Sequence, residues 1–117
     1  MRRFKPRFKL WLNTRDIEGA FGDGKWRLLR AIHTEGSLRR ACESLQISYR
    51  KAWGDLEKAQ EALGAELVKK ERGGSKGGCS VLTAQGHKWL GAYGMFRSEV
   101  EKAVETAFRR HFKGLVR

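Results

Sequence analysis

A mainly α-helical fold carrying a small β-wing is predicted for this 117-residue chain, and three observations predict it. Two short segments, SLRRACESL from Ser37 and SYRKAWGDLEKAQEAL from Ser48, each open on a residue suited to capping a helix, and the break LQI, Leu45 to Ile47, leads from the first to the second. The glycine-rich stretch RGGSKGGC, Arg72 to Cys79, separates two short runs, ELVKKER and CSVLT, that read as hairpin strands. From Thr83 to about Phe112 runs one long helical pattern without a proline or an internal cap.

The elements follow in order. In FKPRFKLWLN, Phe8, Leu10 and Leu12 alternate with Lys9 and Trp11, the pattern of a strand with one apolar face. GAFGDGK supplies a short extended piece and a turn. Asp23 is the expected N-cap of a helix running to about Thr34, with Leu28, Leu29 and Ile32 on one face and Gly36 as its stop. Ser37 caps the next helix. After the break, Ser48 caps a third helix whose Ala52, Leu56, Ala59 and Leu63 form a buried stripe. Ile47 ahead of that cap can pack on Ala52 as a hydrophobic staple. Glycine is common in such a turn, and here Gln46 stands in that place.

Thr83 is the expected cap of the last helix. Its Trp89, Tyr93, Phe96, Val100, Ala103 and Ala107 follow one another at alternating steps of four and three, a near-heptad seam. A helix of ~28 residues spans roughly 42 Å, more than so small a domain needs for its own core. The seam is therefore expected to pair two copies of the chain. Strand, helix, helix, turn, helix, hairpin and helix together describe one winged helix-turn-helix domain over residues 1–117. Its helix-turn-helix covers about 37–63, its wing about 67–82 and its long helix about 83–112.

Charge narrows the function. Lys and Arg number 25 against 13 Asp and Glu, a net charge of +12, and a folded domain this basic usually has a polyanionic partner, nucleic acid first. Cys42 and Cys79 lie far apart with no C-x-x-C, so neither a metal site nor a disulfide framework is expected, and Cys42 reads as a small core residue. No apolar stretch has the length of a membrane span, and the basic N-terminus lacks a signal peptide's apolar region. GAFGDGKW matches G-x-x-x-x-G-K but has Trp26 where a P-loop needs a Mg²⁺-binding hydroxyl. His33, His87 and His111 carry no triad pattern. No enzyme activity, metal or cofactor is expected, and the place of action is expected to be a bacterial-type cytoplasm, at the nucleoid.

The third helix is the candidate reader. Its first turn offers Arg50, whose guanidinium fork suits guanine, and Tyr49, suited to a phosphate or a thymine methyl. Ser48, Lys51, Trp53 and Lys58 join them, with the lysines better placed for phosphates and Gly54 allowing close backbone approach. Ser37 and Arg39 on the second helix are candidate phosphate contacts. On the wing, Lys70, Arg72 and Lys76 are the candidates. Glycines around Lys76 let the tip take positive φ and sit close to a sugar-phosphate edge.

The runs GSLRRACESLQISYRKAW and LVKKERGGSKGGCSVLTAQGHKWLGAY resemble the N-terminal DNA-binding domain of ModE-type molybdate-responsive regulators, and more distantly the LysR-type winged helix. The I-S-Y-[KR]-x-A-W run, the glycine-rich wing and the L-T-x-x-G helix start carry the resemblance, which covers about Phe8 to Phe112. It implies the fold, double-stranded DNA binding and a homodimer. The family's oxyanion-binding module has no counterpart before Arg117, so molybdate sensing is not carried over and no small-molecule effector is expected within this chain. A competing expectation is an architectural or accessory protein that binds nucleic acid without sequence choice.

Overall fold

The structure, a computed structural model, describes residues 3–71 and 79–116. Its elements are β1 (Trp11–Leu12), β2 (Phe21–Gly22), α1 (Asp23–Glu35), α2 (Leu38–Leu45), α3 (Tyr49–Leu63), β3 (Val68–Glu71), β4 (Cys79–Leu82) and α4 (Ala84–Phe112). This is the winged helix-turn-helix order expected from the sequence.

The first strand is shorter than its alternation suggests: only Trp11 and Leu12 pair, antiparallel with Gly22 and Phe21. The alternation itself is kept, with Phe8, Leu10 and Leu12 half-buried and Lys9 and Trp11 exposed.

Asp23 does not cap α1. Gly22 holds the cap position in extended backbone, with no side-chain cap bond, and Asp23 is the first helical residue. Partners distant in sequence draw its carboxylate away from the helix end. It accepts from the Leu10 N–H at 3.2 Å and from Arg97 Nε at 2.9 Å. The Tyr93 hydroxyl lies 2.8 Å from Asp23 Oδ1 and 2.8 Å from the Leu10 carbonyl oxygen. Burial alone would push the Asp23 carboxyl up, but the hydrogen bonds from Arg97, Tyr93 and Leu10, with the guanidinium charge, outweigh it and hold the group below its ordinary value. Burial first, then the Asp23 bond and charge, push the Tyr93 phenol far up.

The expected caps of the other helices are in place. Ser37 Oγ accepts from the Arg40 N–H, and Ser48 Oγ from the Lys51 N–H, each at 3.0 Å. Between α2 and α3 the chain turns through Gln46 at φ 57°, left-handed backbone in which its N–H closes onto the Cys42 and Glu43 carbonyls. Glycine takes that conformation without the Cβ clash, which costs other residues roughly 1–2 kcal/mol. The capped turn sets how α3 leaves α2. Ala41 and Ala52 are fully buried, and Cys42 is a buried core residue.

Phe21, Leu28, Leu29, Ile32, Leu38, Leu56 and Leu67 are the largest fully buried side chains, so one core joins α1, α2, α3 and the wing base. Strands β3 and β4 pair antiparallel from Val68–Leu82 to Glu71–Cys79. The wing base is fastened at several points. Gln60 Oε1 on α3 accepts from the Leu67 and Val68 N–H groups at 2.9 and 3.2 Å, and the Ser80 N–H reaches the Gly36 carbonyl at 3.3 Å. Thr83 caps α4 through the Gly86 N–H at 3.0 Å while its own hydroxyl donates to the Glu66 carbonyl.

Helix α4 is 29 residues long, and only Gly86 and Tyr93 on it are buried. The expected pairing seam therefore divides, and two of its residues are corrected. Tyr93 is only 2 % exposed and belongs to this chain's own core, edge-on to Phe21 at 5.1 Å. Trp89 is half-buried, 5.2 Å from the same ring. The spacing is that of a seam, but an aromatic pocket from α1 and β2 takes up its first two positions. Phe96, Ala103 and Ala107 remain exposed and Val100 half-buried on a helix running out beyond the core, and the molecule is 61 Å along its longest axis.

Candidate nucleic-acid interface

Helix α3 sorts its residues by the 3.6-residue turn. Ala52, Leu56 and Ala59 face the core. Opposite them, Arg50 and Gly54 point to solvent, and both are exposed. Tyr49 and Trp53 flank that row on one side; Lys51 and Asp55 flank it on the other.

The Tyr49 side faces the wing. Tyr49 and Trp53 rings meet edge-on with centroids 6.2 Å apart, and Lys70 Nζ on β3 sits 4.9 Å over the Trp53 ring. The Trp53 indole is the largest cause holding the Tyr49 phenol below its ordinary value. Slight burial opposes it, and the Lys70 and Arg39 charges add to the lowering. Tyr49, Lys70, Ser37, Arg39 and Arg40 line one hollow of about 670 Å³ between the start of α2, the start of α3 and the wing base.

The structure thus brings Ser37, Arg39, Tyr49 and Lys70 together and places Trp53 as the shelf beneath Lys70. Ser37 and Ser48 both spend an acceptor lone pair on a helix cap, which leaves each hydroxyl proton to donate outward. Lys51 pairs with Asp55 at 3.2 Å in an exposed i,i+4 bridge, and Lys58 stands exposed one turn further along. Lys76, expected at the wing tip, and Arg72, expected along the strand that leads to it, lie outside the described residues.

Comparison with known proteins agrees with this geometry. The family described as bacterial regulatory helix-turn-helix protein, lysR family, matches residues 24–87, which run from α1 through the wing into α4. The chain belongs to the LysR-type helix-turn-helix family.

This LysR-type chain is 32% identical over 95 residues to the molybdenum transport protein ModE of Azotobacter vinelandii, covering 81% of this chain and 35% of that protein. It is 35% identical over 79 residues to the molybdenum-pterin-binding protein MopB of Rhodobacter capsulatus, covering 68% and 29%. With the DNA-binding transcriptional dual regulator ModE of Escherichia coli K12 it shares 30% over 79 residues, covering 68% and 30%. The chain spans about a third of the length of these curated relatives.

Two features of this LysR-type domain escape sequence reasoning. The Asp23–Arg97–Tyr93 junction joins residues about 70 positions apart, and nothing local marks it. His33 and His87 meet with ring centroids 5.2 Å apart, although they lie on different helices. Among the described residues, no group of three or more His, Cys, Asp or Glu could hold a metal ion, and no helix is long and apolar enough to cross a membrane.

Proposed function

We propose that residues 1–117 act as one DNA-binding unit, a homodimer that recognises a two-fold double-stranded sequence and regulates transcription from it. The carrying observation is α3. Its outward row begins with Arg50, exposed at the first turn, with Gly54 behind it and the Tyr49–Trp53–Lys70 cluster beside it. A helix entering the major groove presents its N-terminal residues to base edges, and an arginine there makes the bidentate guanine contact. Glu57 and Glu61 stand exposed farther along α3, so only its N-terminal half suits a phosphate-lined groove. Membership of the LysR-type family supports the regulatory role, and the names of the relatives point the same way. The reading is of binding without catalysis, in a bacterial-type cytoplasm at the nucleoid.

Arg50→Ala tests the reader. It is expected to cost about 1–3 kcal/mol on the preferred site and to relax choice at one base pair in each half-site. Lys70→Ala, removing a phosphate contact, is expected to weaken preferred and scrambled duplexes alike and to lower the salt slope by about one. Equal weakening of both duplexes by Arg50→Ala would favour the architectural, non-selective alternative.

Pairing is proposed through the outer part of α4, where Phe96 is 41 % exposed and Met95 74 %, with Val100, Ala103 and Ala107 following. Val100→Glu places a charge in that seam and is expected to yield monomers by sedimentation, with half-site binding replacing two-fold binding. A wild-type monomer at tens of micromolar, on the order of the range where such seams associate, would remove the dimer from the proposal.

A further inference from the structure

The residues ahead of β1 form a two-sided ribbon. Arg3, Lys5, Arg7 and Lys9 are exposed, while Pro6, Phe8 and Leu10 are half-buried between them. Alternation of this kind belongs to an extended chain, in which same-side residues repeat about every 6.6 Å. The apolar side is anchored. Arg97 lies 4.8 Å over the Phe8 ring, and Leu10 is held by the Asp23 backbone N–H, the Asp23 carboxylate and the Tyr93 hydroxyl. The cationic side is therefore displayed at a set place on the molecule and not on a loose tail.

That place adjoins α3. Lys5, Arg7 and Lys9 line one groove of about 1280 Å³ with Lys25 and Arg27 of α1 and Lys51 of α3. The groove lies on the Lys51–Asp55 side of α3, across the helix from Tyr49, Trp53 and the wing. Most carboxylates in the groove are taken: Asp23 and Glu101 by Arg97, Asp55 by Lys51, leaving Glu105. Among the described residues no ion pair engages Arg3, Lys5, Arg7, Lys9 or Arg27. Burial above all depresses the Lys25 ammonium; Asp55 opposes this, and the neighbouring Lys58 and Lys51 charges add to it.

We propose that the ribbon of residues 3–9 is a second phosphate-backbone contact, laid along the duplex flanking the base pairs read by α3, on the side opposite the wing. A DNA strand carries one phosphate per ~3.4 Å of axis rise, and winding makes the path along the strand about twice that, close to the ribbon's own repeat. The proposal rests on α3 facing DNA, because Lys51 in the same groove is what makes the ribbon continuous with the reading helix. Exposed Phe4 and Trp11 beside the cations would also suit an anionic lipid surface, and the test includes that outcome.

The test is R3Q/K5Q/R7Q/K9Q in the full chain, with its thermal unfolding compared with wild type, since all four positions are exposed and the anchoring residues are untouched. Binding is measured at several salt concentrations on a duplex trimmed to the two half-sites and on one extended by about one helical turn at each end. The salt slope is expected to fall by about 3–4 per protomer on the extended duplex, to change little on the trimmed one, and to leave base preference intact. An unchanged slope on the extended duplex, or an equal fall on both, overturns the proposal. So does binding of the wild type to phosphatidylserine vesicles that the variant loses while its DNA binding is retained. If the wild type shows no base preference but the slope still falls on long generic duplex, the ribbon contact stands and the reading role of α3 falls.

Discussion

Asp23→Ala is expected to lose about 3–5 kcal/mol, the range for breaking one side of a buried, hydrogen-bonded ion pair. The Asp23 side chain is 10% exposed and that of Arg97 17%, so solvent screens the pair little. Alanine would leave the guanidinium with only the exposed Glu101 carboxylate as counter-charge, and the Leu10 N–H without an acceptor. Three elements meet at this carboxylate: the segment entering β1, the first turn of α1, and α4. Its loss should loosen α4 and the N-terminal ribbon together. Urea unfolding measures the loss, and Asp23→Asn separates charge from shape. The pH dependence has a definite sign. The folded carboxyl titrates below its ordinary value. Its contribution is therefore complete above the unfolded value of about 3.9 and disappears as pH falls through the lower folded value. The stability gap between wild type and Asp23→Asn should close over that acid range and stay constant above it. A gap independent of pH down to the folded value and beyond would show that the carboxylate's charge contributes nothing.

Gly86→Ala and Gly91→Ala should move stability in opposite directions, although both sit in α4. Alanine normally improves a helix interior over glycine by about 0.5–1 kcal/mol. At Gly91 an added Cβ meets nothing within 4 Å, so that gain is expected in full. At Gly86 the Cβ would come within 2.1 Å of the Leu67 carbonyl oxygen and 3.2 Å of the Leu82 Cβ. The carbonyl is backbone, and it also accepts the Thr83 N–H at 3.0 Å, so it cannot retreat without opening the wing base. A loss of about 3 kcal/mol is expected, at the upper end for overpacking a core. Because the wing base would shift with it, DNA affinity should fall as well. Thermal unfolding of both variants decides the point: a stabilised Gly86→Ala would mean that α4 does not pack against Leu67 this closely.

Local chemistry explains what was legible. Ser37, Ser48 and Thr83 cap their helices because a hydroxyl ahead of a periodic run has one good use, and Gly36 ends α1 left-handed at φ 78° for an equally local reason. Asp23 misled for the same cause. By local rules it caps a helix, but Arg97 and Tyr93 offer a charged pair and a buried hydroxyl that a helix end cannot match. Likewise, Tyr93 has the spacing of a pairing seam, and no spacing reveals that Phe21 and Trp26 lie 5.1 and 5.9 Å from it in the folded chain.

The sequence by itself determined the element order, the caps of α2, α3 and α4, the α3 stripe, the net positive charge that points to a polyanionic partner, and the identity of Arg50, Tyr49 and the wing lysines as candidates. Each of these depends on residues within a few positions of one another or on total charge. Only the tertiary structure decided which cations share a surface. It set Lys70 over Trp53 beside Tyr49, put Lys5, Arg7 and Lys9 in one groove with Lys51, and took Tyr93 into the core. The first depends on Gln60 and Gly36 fastening the wing base, and the other two on how α4 and the N-terminal segment close around one carboxylate, a contact whose energy comes from desolvated groups about 70 residues apart and has no local signature.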